Sequence, residues 1–186
     1  MTGTVLEEKE VCADPSGVRA CIESFLGEQQ QIPPMYSALK VNGRKLYELA
    51  REGKEVERKP RRVVFYGIDI LEMNLPLVRF SVTCSKGTYI RTLCHDIGQK
   101  LGCGGCMESL LRTRVERFDV KDALKLSEVE KAAEAGTVLS HVVTIEQMFS
   151  QYGEIQAPAC FDKMLRNGNA VPAKCVMEDG TDRKSV

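Results

Sequence analysis

Few residues in this sequence could do chemistry, and they are scattered. There are two histidines in 186 residues. His95 has no Ser or Cys nucleophile beside it with a third group to orient the ring, and His141 lies in an apolar-flanked segment that reads as structural or solvated. Cys94-His95 followed by Cys103-x-x-Cys106 presents four soft donors, the ligand set of a zinc site. No second Cys-x-x-Cys pair follows at zinc-ribbon spacing, and Cys94 falls on the apolar stripe of an expected helix. The eight cysteines (12, 21, 84, 94, 103, 106, 160 and 175) therefore read as reduced thiols, and no metal is expected. Gly102-Cys103-Gly104-Gly105 follows a helix rather than a strand, so it is no dinucleotide loop. Lys86-Gly87-Thr88 lacks the upstream glycine of a phosphate loop. Asp96 could act as a carboxylate nucleophile, although an Asp on a helix surface is usually only solvated.

Charge is more informative. The total is zero, from 26 basic and 26 acidic residues. Residues 40–62 nevertheless carry nine basic side chains (Lys40, Arg44, Lys45, Arg51, Lys54, Arg58, Lys59, Arg61, Arg62) against four Glu, a local +5. Residues 79–121 carry eight basic and four acidic residues, a local +4, so the remainder sums to −9. A cationic stretch inside a neutral total has the footprint of a polyanion partner; a solvated helix face with turns is the plainer alternative. Hydrophobic residues at 43% and charged ones at 28% are ordinary globular composition. No run approaches the ~20 apolar residues of a membrane span, and residues 1–10 have no signal-peptide character. A soluble cytoplasmic protein, without a disulfide framework, is expected.

The elements that must position these residues follow from periodicity. Residues 4–11 read as a strand. Asp14-Pro15 opens a helix with Val18, Cys21, Ile22 and Phe25 on one face and Gly27 as its stop. Pro33-Pro34 keeps residues 28–36 extended. A short basic helix covers about 44–52, and 54–62 is polar and expected to be mobile until an anion meets it. Strands 63–73 and 78–84, the second alternating cleanly, are joined across Asn74-Leu75-Pro76 as a hairpin. A turn at 85–88 leads into a helix from about Tyr89 to Leu101, with Ile90, Leu93, Cys94, Ile97 and Leu101 inward and Arg91, His95 and Gln99 outward. A second helix is expected to about Arg112 and a strand near 113–120. A helix opened by a Ser127–Glu130 capping box and ended by Gly136 follows, then a short helix near 159–166 and a turn at Asp179-Gly180.

Two long segments add what composition cannot. Gln31-Ile-Pro-Pro-Met-Tyr-Ser-Ala-Leu-Lys-Val-Asn-Gly-Arg-Lys-Leu-Tyr-Glu-Leu-Ala-Arg51-Glu-Gly53 closely resembles the TruB family of tRNA pseudouridine synthases. So does Cys84-Ser-Lys-Gly-Thr-Tyr-Ile-Arg-Thr-Leu93, followed by Asp96, Gly98, Leu101-Gly102 and Leu110-Leu-Arg-Thr113. The motifs stand in the family's order and spacing over about residues 3–150. The resemblance implies isomerisation of uridine 55 in the T loop of tRNA, on a base flipped out of its stack, with no cofactor and no metal.

The resemblance also implies roles residue by residue. Arg91 matches the arginine that pairs with the catalytic Asp, Tyr89 a tyrosine of the uridine pocket, and Leu111 an apolar residue of that pocket. Lys40, Arg44, Lys45, Arg51, Arg58, Lys59, Arg61 and Arg62, in a thumb-like insertion over about 30–62, with Lys86, would bind RNA. Family members carry the nucleophilic Asp in a Gly-x-Leu-Asp-Pro-like motif and a base-stacking Tyr in a Lys-x-Tyr-like one. No Gly-x-Leu-Asp-Pro-like motif stands in this sequence, and both family motifs are expected upstream of Met1. The implied fold is the α+β pseudouridine synthase core, with a mixed, mainly antiparallel sheet and flanking helices, over residues 1–139. The start of a small PUA-like RNA-binding appendage is expected over 140–186. The expected partner is the tRNA T arm and the expected state a monomer. Two rivals are a non-catalytic RNA-binding chain that keeps the thumb, and a zinc-dependent interaction module.

Overall fold

The computed structural model describes residues 7–153, 155–172 and 177–178. Two compact units divide between Arg112 and Thr113.

In the first unit, Asp14 caps helix α1 (Pro15–Glu23). Its carboxylate accepts from the Gly17 N–H at 3.3 Å and from the Ser16 hydroxyl, and Pro15 takes a first-turn position that needs no N–H partner. Strand β1 (Gly27–Gln31) follows, and then a small hairpin of β2 (Lys40–Val41) and β3 (Arg44–Lys45). Its turn is Asn42-Gly43, both at positive φ, the backbone a two-residue hairpin requires. Helix α2 (Leu46–Arg51) buries Leu46 and Leu49. Two long strands, β4 (Arg61–Asn74) and β5 (Leu77–Cys84), precede helix α3 (Ile90–Leu101).

The sheet order is β1-β4-β5, antiparallel throughout. The pairing is staggered: β1 holds residues 61–65 of β4, and β5 holds residues from Phe65 onward, so Phe65 is matched on both sides, by Gly27 and Cys84. Phe65 and Val63 project from this crossing into a core shared with Val18, Cys21 and Ile22 of α1 and Leu93 and Ile97 of α3. Burying each such side chain stabilises the fold by roughly 1.5–3 kcal/mol. On β5, Val78, Phe80, Val82 and Cys84 turn inward and Leu77, Arg79, Ser81 and Thr83 outward, the alternation read from sequence.

In the second unit, β6 (Arg114–Val115) and β7 (Phe118–Asp119) form a short hairpin, followed by α4 (Leu126–Glu134) and α5 (Ile145–Met148). Strand β8 (Ile155–Gln156) pairs with β9 (Met177–Glu178), and α6 (Asp162–Arg166) lies between them in sequence. The Arg117 guanidinium donates to the Gln147 and Met148 carbonyls at 2.6 and 2.7 Å, satisfying acceptors that the end of α5 leaves open.

Several expectations need correction. Residues 7–11 form no strand; residues 4–6 of that expected strand, and the turn at Asp179-Gly180, lie outside the described residues. The helix expected to reach Arg112 is absent: residues 104–113 have no regular structure. Gly104 at φ 73 turns the chain back on α3, and the stretch left after Gly105 is too short to offset its own nucleation cost. The strand expected at 113–120 is the β6–β7 hairpin, broken by Glu116 at φ 51. The cap of α4 is two residues earlier than read, with the Glu128 carboxylate accepting from the Lys125 N–H.

Candidate active site

The turn from β5 into α3 is tied down by its own hydrogen bonds and by β4. Ser85 N–H donates to the Val64 carbonyl at 2.8 Å, and the Ser85 hydroxyl accepts from Val64 N–H at 3.0 Å. Thr88 Oγ1 donates back to the Ser85 carbonyl at 2.8 Å. Gly87, at φ 80, takes the left-handed conformation between them. Tyr89 is then the extended N-cap of α3, at φ −104 and ψ 104, without a side-chain cap of its own.

Tyr89 and Arg91 are therefore delivered together at the N-terminal end of α3. Tyr89 is half-buried and Arg91 exposed, with no ion pair among the described residues. Asp96 lies half-buried further along the helix, and burial pushes its carboxyl above the ordinary value, with neighbouring His95 opposing that. Burial, followed by Cys106, likewise pushes the Cys94 thiol up. None of the seven cysteines among the described residues is in a disulfide. Leu111, assigned to the same pocket by sequence, sits 72% exposed on the loop after α3. A shallow hollow of about 400 Å³ lies on α1, lined by Pro15, Ser16, Arg19, Ala20, Glu23 and Met73, and includes neither Tyr89 nor Arg91.

The cationic residues divide into three groups. Four are engaged by carboxylates of the chain: Arg44 and Lys54 by Glu52, Arg58 by Glu55 at 2.8 Å, and Arg62 by Glu28 at 2.7 Å. Arg58 also donates to the Pro33 carbonyl at 3.3 Å, tying 58 to the base of the insertion. Lys45 and Arg51 flank the Tyr47 ring at 5.4 and 5.3 Å, a stacked cationic face. Lys40, Lys59, Arg61 and Lys86 are exposed and make no ion pair among the described residues.

Sequence reasoning missed Gln31 and the glycines after α3. The Gln31 side chain hydrogen-bonds the backbone of Tyr89, and the Gly104 N–H donates to the Gly98 carbonyl at 3.0 Å. The recurrence of glycine at 98, 102, 104 and 105 was the available signal for the second.

Residues 1–90 match the N-terminal domain of TruB family pseudouridylate synthases, and residues 91–149 match the tRNA pseudouridylate synthase B C-terminal domain. The chain belongs to the TruB family. The tRNA pseudouridine synthase B of Clostridium acetobutylicum is 40% identical over 183 residues, covering 98% of this chain and 62% of that protein. That of Ralstonia pickettii is 47% identical over 181 residues, covering 94% of this chain and 56% of its own length. That of Lachnoclostridium phytofermentans is 47% identical over 157 residues, covering 80% and 51%. This TruB-family chain thus spans between 51% and 62% of the length of these three relatives. A solved Cbf5-Nop10-Gar1 complex contains a chain with a TM-score of 0.59 and 27% identity, covering 75% of this chain and 40% of that one. A structure of an H/ACA RNP bound to a substrate RNA containing 2'-deoxyuridine gives 0.61 at 20% identity, covering 88% and 46%, a likeness of fold. The fold is that of the pseudouridine synthases, with an antiparallel sheet backed by helices.

Proposed function

We infer that this sequence serves, in the cytoplasm and as a monomer, in the isomerisation of uridine 55 in the T loop of tRNA to pseudouridine. The observation that carries this reading is the Tyr89–Arg91 segment, held at the start of α3 by β4 and β1 in a chain of this family. In the reaction the N1–C1′ bond breaks, the uracil turns, C5–C1′ forms, the C5 proton leaves and N1 gains one. The change is redox-neutral and needs no cofactor.

The residues present supply positioning and electrostatics. The exposed Arg91 guanidinium would form a charge-assisted pair with the nucleophilic carboxylate, keeping it ionised and oriented. The Tyr89 ring would line the flipped base, and Leu111 would be an apolar residue of the same pocket. The thumb-like insertion at about 30–62 would meet the T arm through Lys40, Arg51, Lys59 and Arg61, with Lys86 at the turn before α3. No Asp of the sequence stands in a Gly-x-Leu-Asp-Pro-like setting. The 186 residues alone are therefore read as an RNA-binding chain without turnover, and addition of a nucleophile segment as what completes the enzyme.

Tritium release from 5-tritiated uridine in T-arm RNA tests this. The 186-residue chain should release none above background, and the chain joined to a family nucleophile segment should release it. Release from the 186-residue chain that disappears in Asp96→Asn would overturn the reading and move the active site to Asp96.

A further inference from the structure

Gln31 is 4% exposed, and a buried amide side chain persists only where its donors and acceptors are met. Both of its functions are met by one residue. Gln31 Nε2 donates to the Tyr89 carbonyl at 3.0 Å, and Gln31 Oε1 accepts from the Tyr89 N–H at 2.8 Å. The side-chain amide thus pairs with the N–H and C=O of a single residue, as the opposite residue of an antiparallel strand would, at a point that no strand among the described residues pairs. The same Tyr89 carbonyl accepts from the Thr92 and Leu93 N–H groups, each at 3.1 Å, so it is also the first acceptor of α3. Gln31 is itself immobilised as the last residue of β1, opposite Arg61, with Pro33-Pro34 following.

We propose that Gln31 is a positioning residue for the uridine isomerisation, setting the entry of α3 and hence the places of the Tyr89 ring and the Arg91 guanidinium. The proposal rests on the function inferred above. A one-ångström error in such groups costs on the order of 100-fold in rate without weakening the grip on RNA elsewhere. Gln31→Met keeps the volume and loses both bonds. Gln31→Glu is isosteric; its carboxylate accepts from Tyr89 N–H but confronts the Tyr89 carbonyl, whereas its protonated acid both accepts and donates, as the amide does.

Three readouts decide. In the 186-residue chain, Gln31→Met should raise the amide exchange rate of Tyr89 by about tenfold or more, as expected when a bonded amide opens locally. In the chain joined to a nucleophile segment, Gln31→Met should lower single-turnover tritium release by about 10–100-fold, with T-arm RNA affinity kept within about threefold. The rate of Gln31→Glu relative to the parent at each pH should climb as pH falls from 8 toward 5.5, because burial raises a carboxyl pKa into this window. Unchanged Tyr89 exchange overturns the clamp whatever the activity. An inactive parent with altered exchange overturns the inferred function and leaves the clamp standing. An active parent whose variants match it in rate, or lose affinity in proportion to rate, overturns the positioning role. If Gln31→Met fails to fold, a flat pH ratio for Gln31→Glu overturns it instead.

Discussion

Gly98 and Gly105 meet backbone to backbone. A Cβ on Gly105 would stand 3.1 Å from Gly98 Cα and 2.5 Å from the Cys94 carbonyl oxygen, and one on Gly98 would sit inside the Gly104–Gly105 peptide. Gly98 lies within a regular helix, so its glycine is a matter of room and not of dihedral freedom.

Gly98→Ala should therefore destabilise the chain. Helix propensity favours Ala by up to about 1 kcal/mol, but the clash is with backbone, which no rotamer relieves, and overpacking of this kind costs about 1–3 kcal/mol. The expected result is a lower Tm, with faster amide exchange at Gly104, whose N–H bonds the Gly98 carbonyl. A raised Tm would show that the loop yields freely.

The salt dependence of T-arm RNA binding should follow the unpaired cations. Replacing Lys59 and Arg61 by Ala should flatten the slope of log K against log salt by up to about 0.7–0.9 for each phosphate no longer neutralised. Replacing Arg44 and Arg62, held by Glu52 and Glu28, should change it less. Titrations at several salt concentrations measure both, and equal effects would mean that RNA breaks the internal pairs.

Arg91→Ala, in the chain joined to a nucleophile segment, should reduce single-turnover rate far more than RNA affinity. Without the guanidinium the Asp loses the charge that lowers its pKa, so fewer molecules are ionised, and its rotamer is freed. Loss of affinity with chemistry spared would reassign Arg91 to phosphate binding.

Glu52 is held near a pKa of about 2, first by the Arg44 hydrogen bond and then by Lys54, against an ordinary 4.5. The folded value is depressed, so the stabilisation is complete above the ordinary value and fades as pH falls from 4.5 toward about 2. Amide exchange in α2 should be faster in Glu52→Gln than in the parent at pH 7, and the difference should shrink through that window. Both partners are about half exposed, so the effect is local and salt-sensitive.

Local pattern carried most of the first unit. Asp14-Pro15 capped a helix as read, the alternation of 78–84 survived as the faces of β5, and Leu93 and Ile97 took the core side of α3. What escaped depends on pairs distant in sequence. Nothing near Gln31 announces a partner 58 residues away, and two further glutamines precede it in the same strand. Arg62 looked like a free cation because Glu28, on β1, becomes its neighbour only after folding. Gly105 serves close approach to Gly98 and Cys94, and Gly104, at φ 73, supplies the turn that brings it there.

The stagger at Phe65 has a practical side. Among the described residues, β4 beyond that point is paired on one flank only, by β5, and the outer flank of β5 is paired by nothing. Those rows of N–H and C=O groups, beside exposed Tyr66, Leu71 and Leu77, are a template for another chain's strand. Preparations of the 186-residue chain will therefore self-associate more readily as concentration rises. Placing a lysine at Leu77 is the first change to make when milligram quantities are wanted.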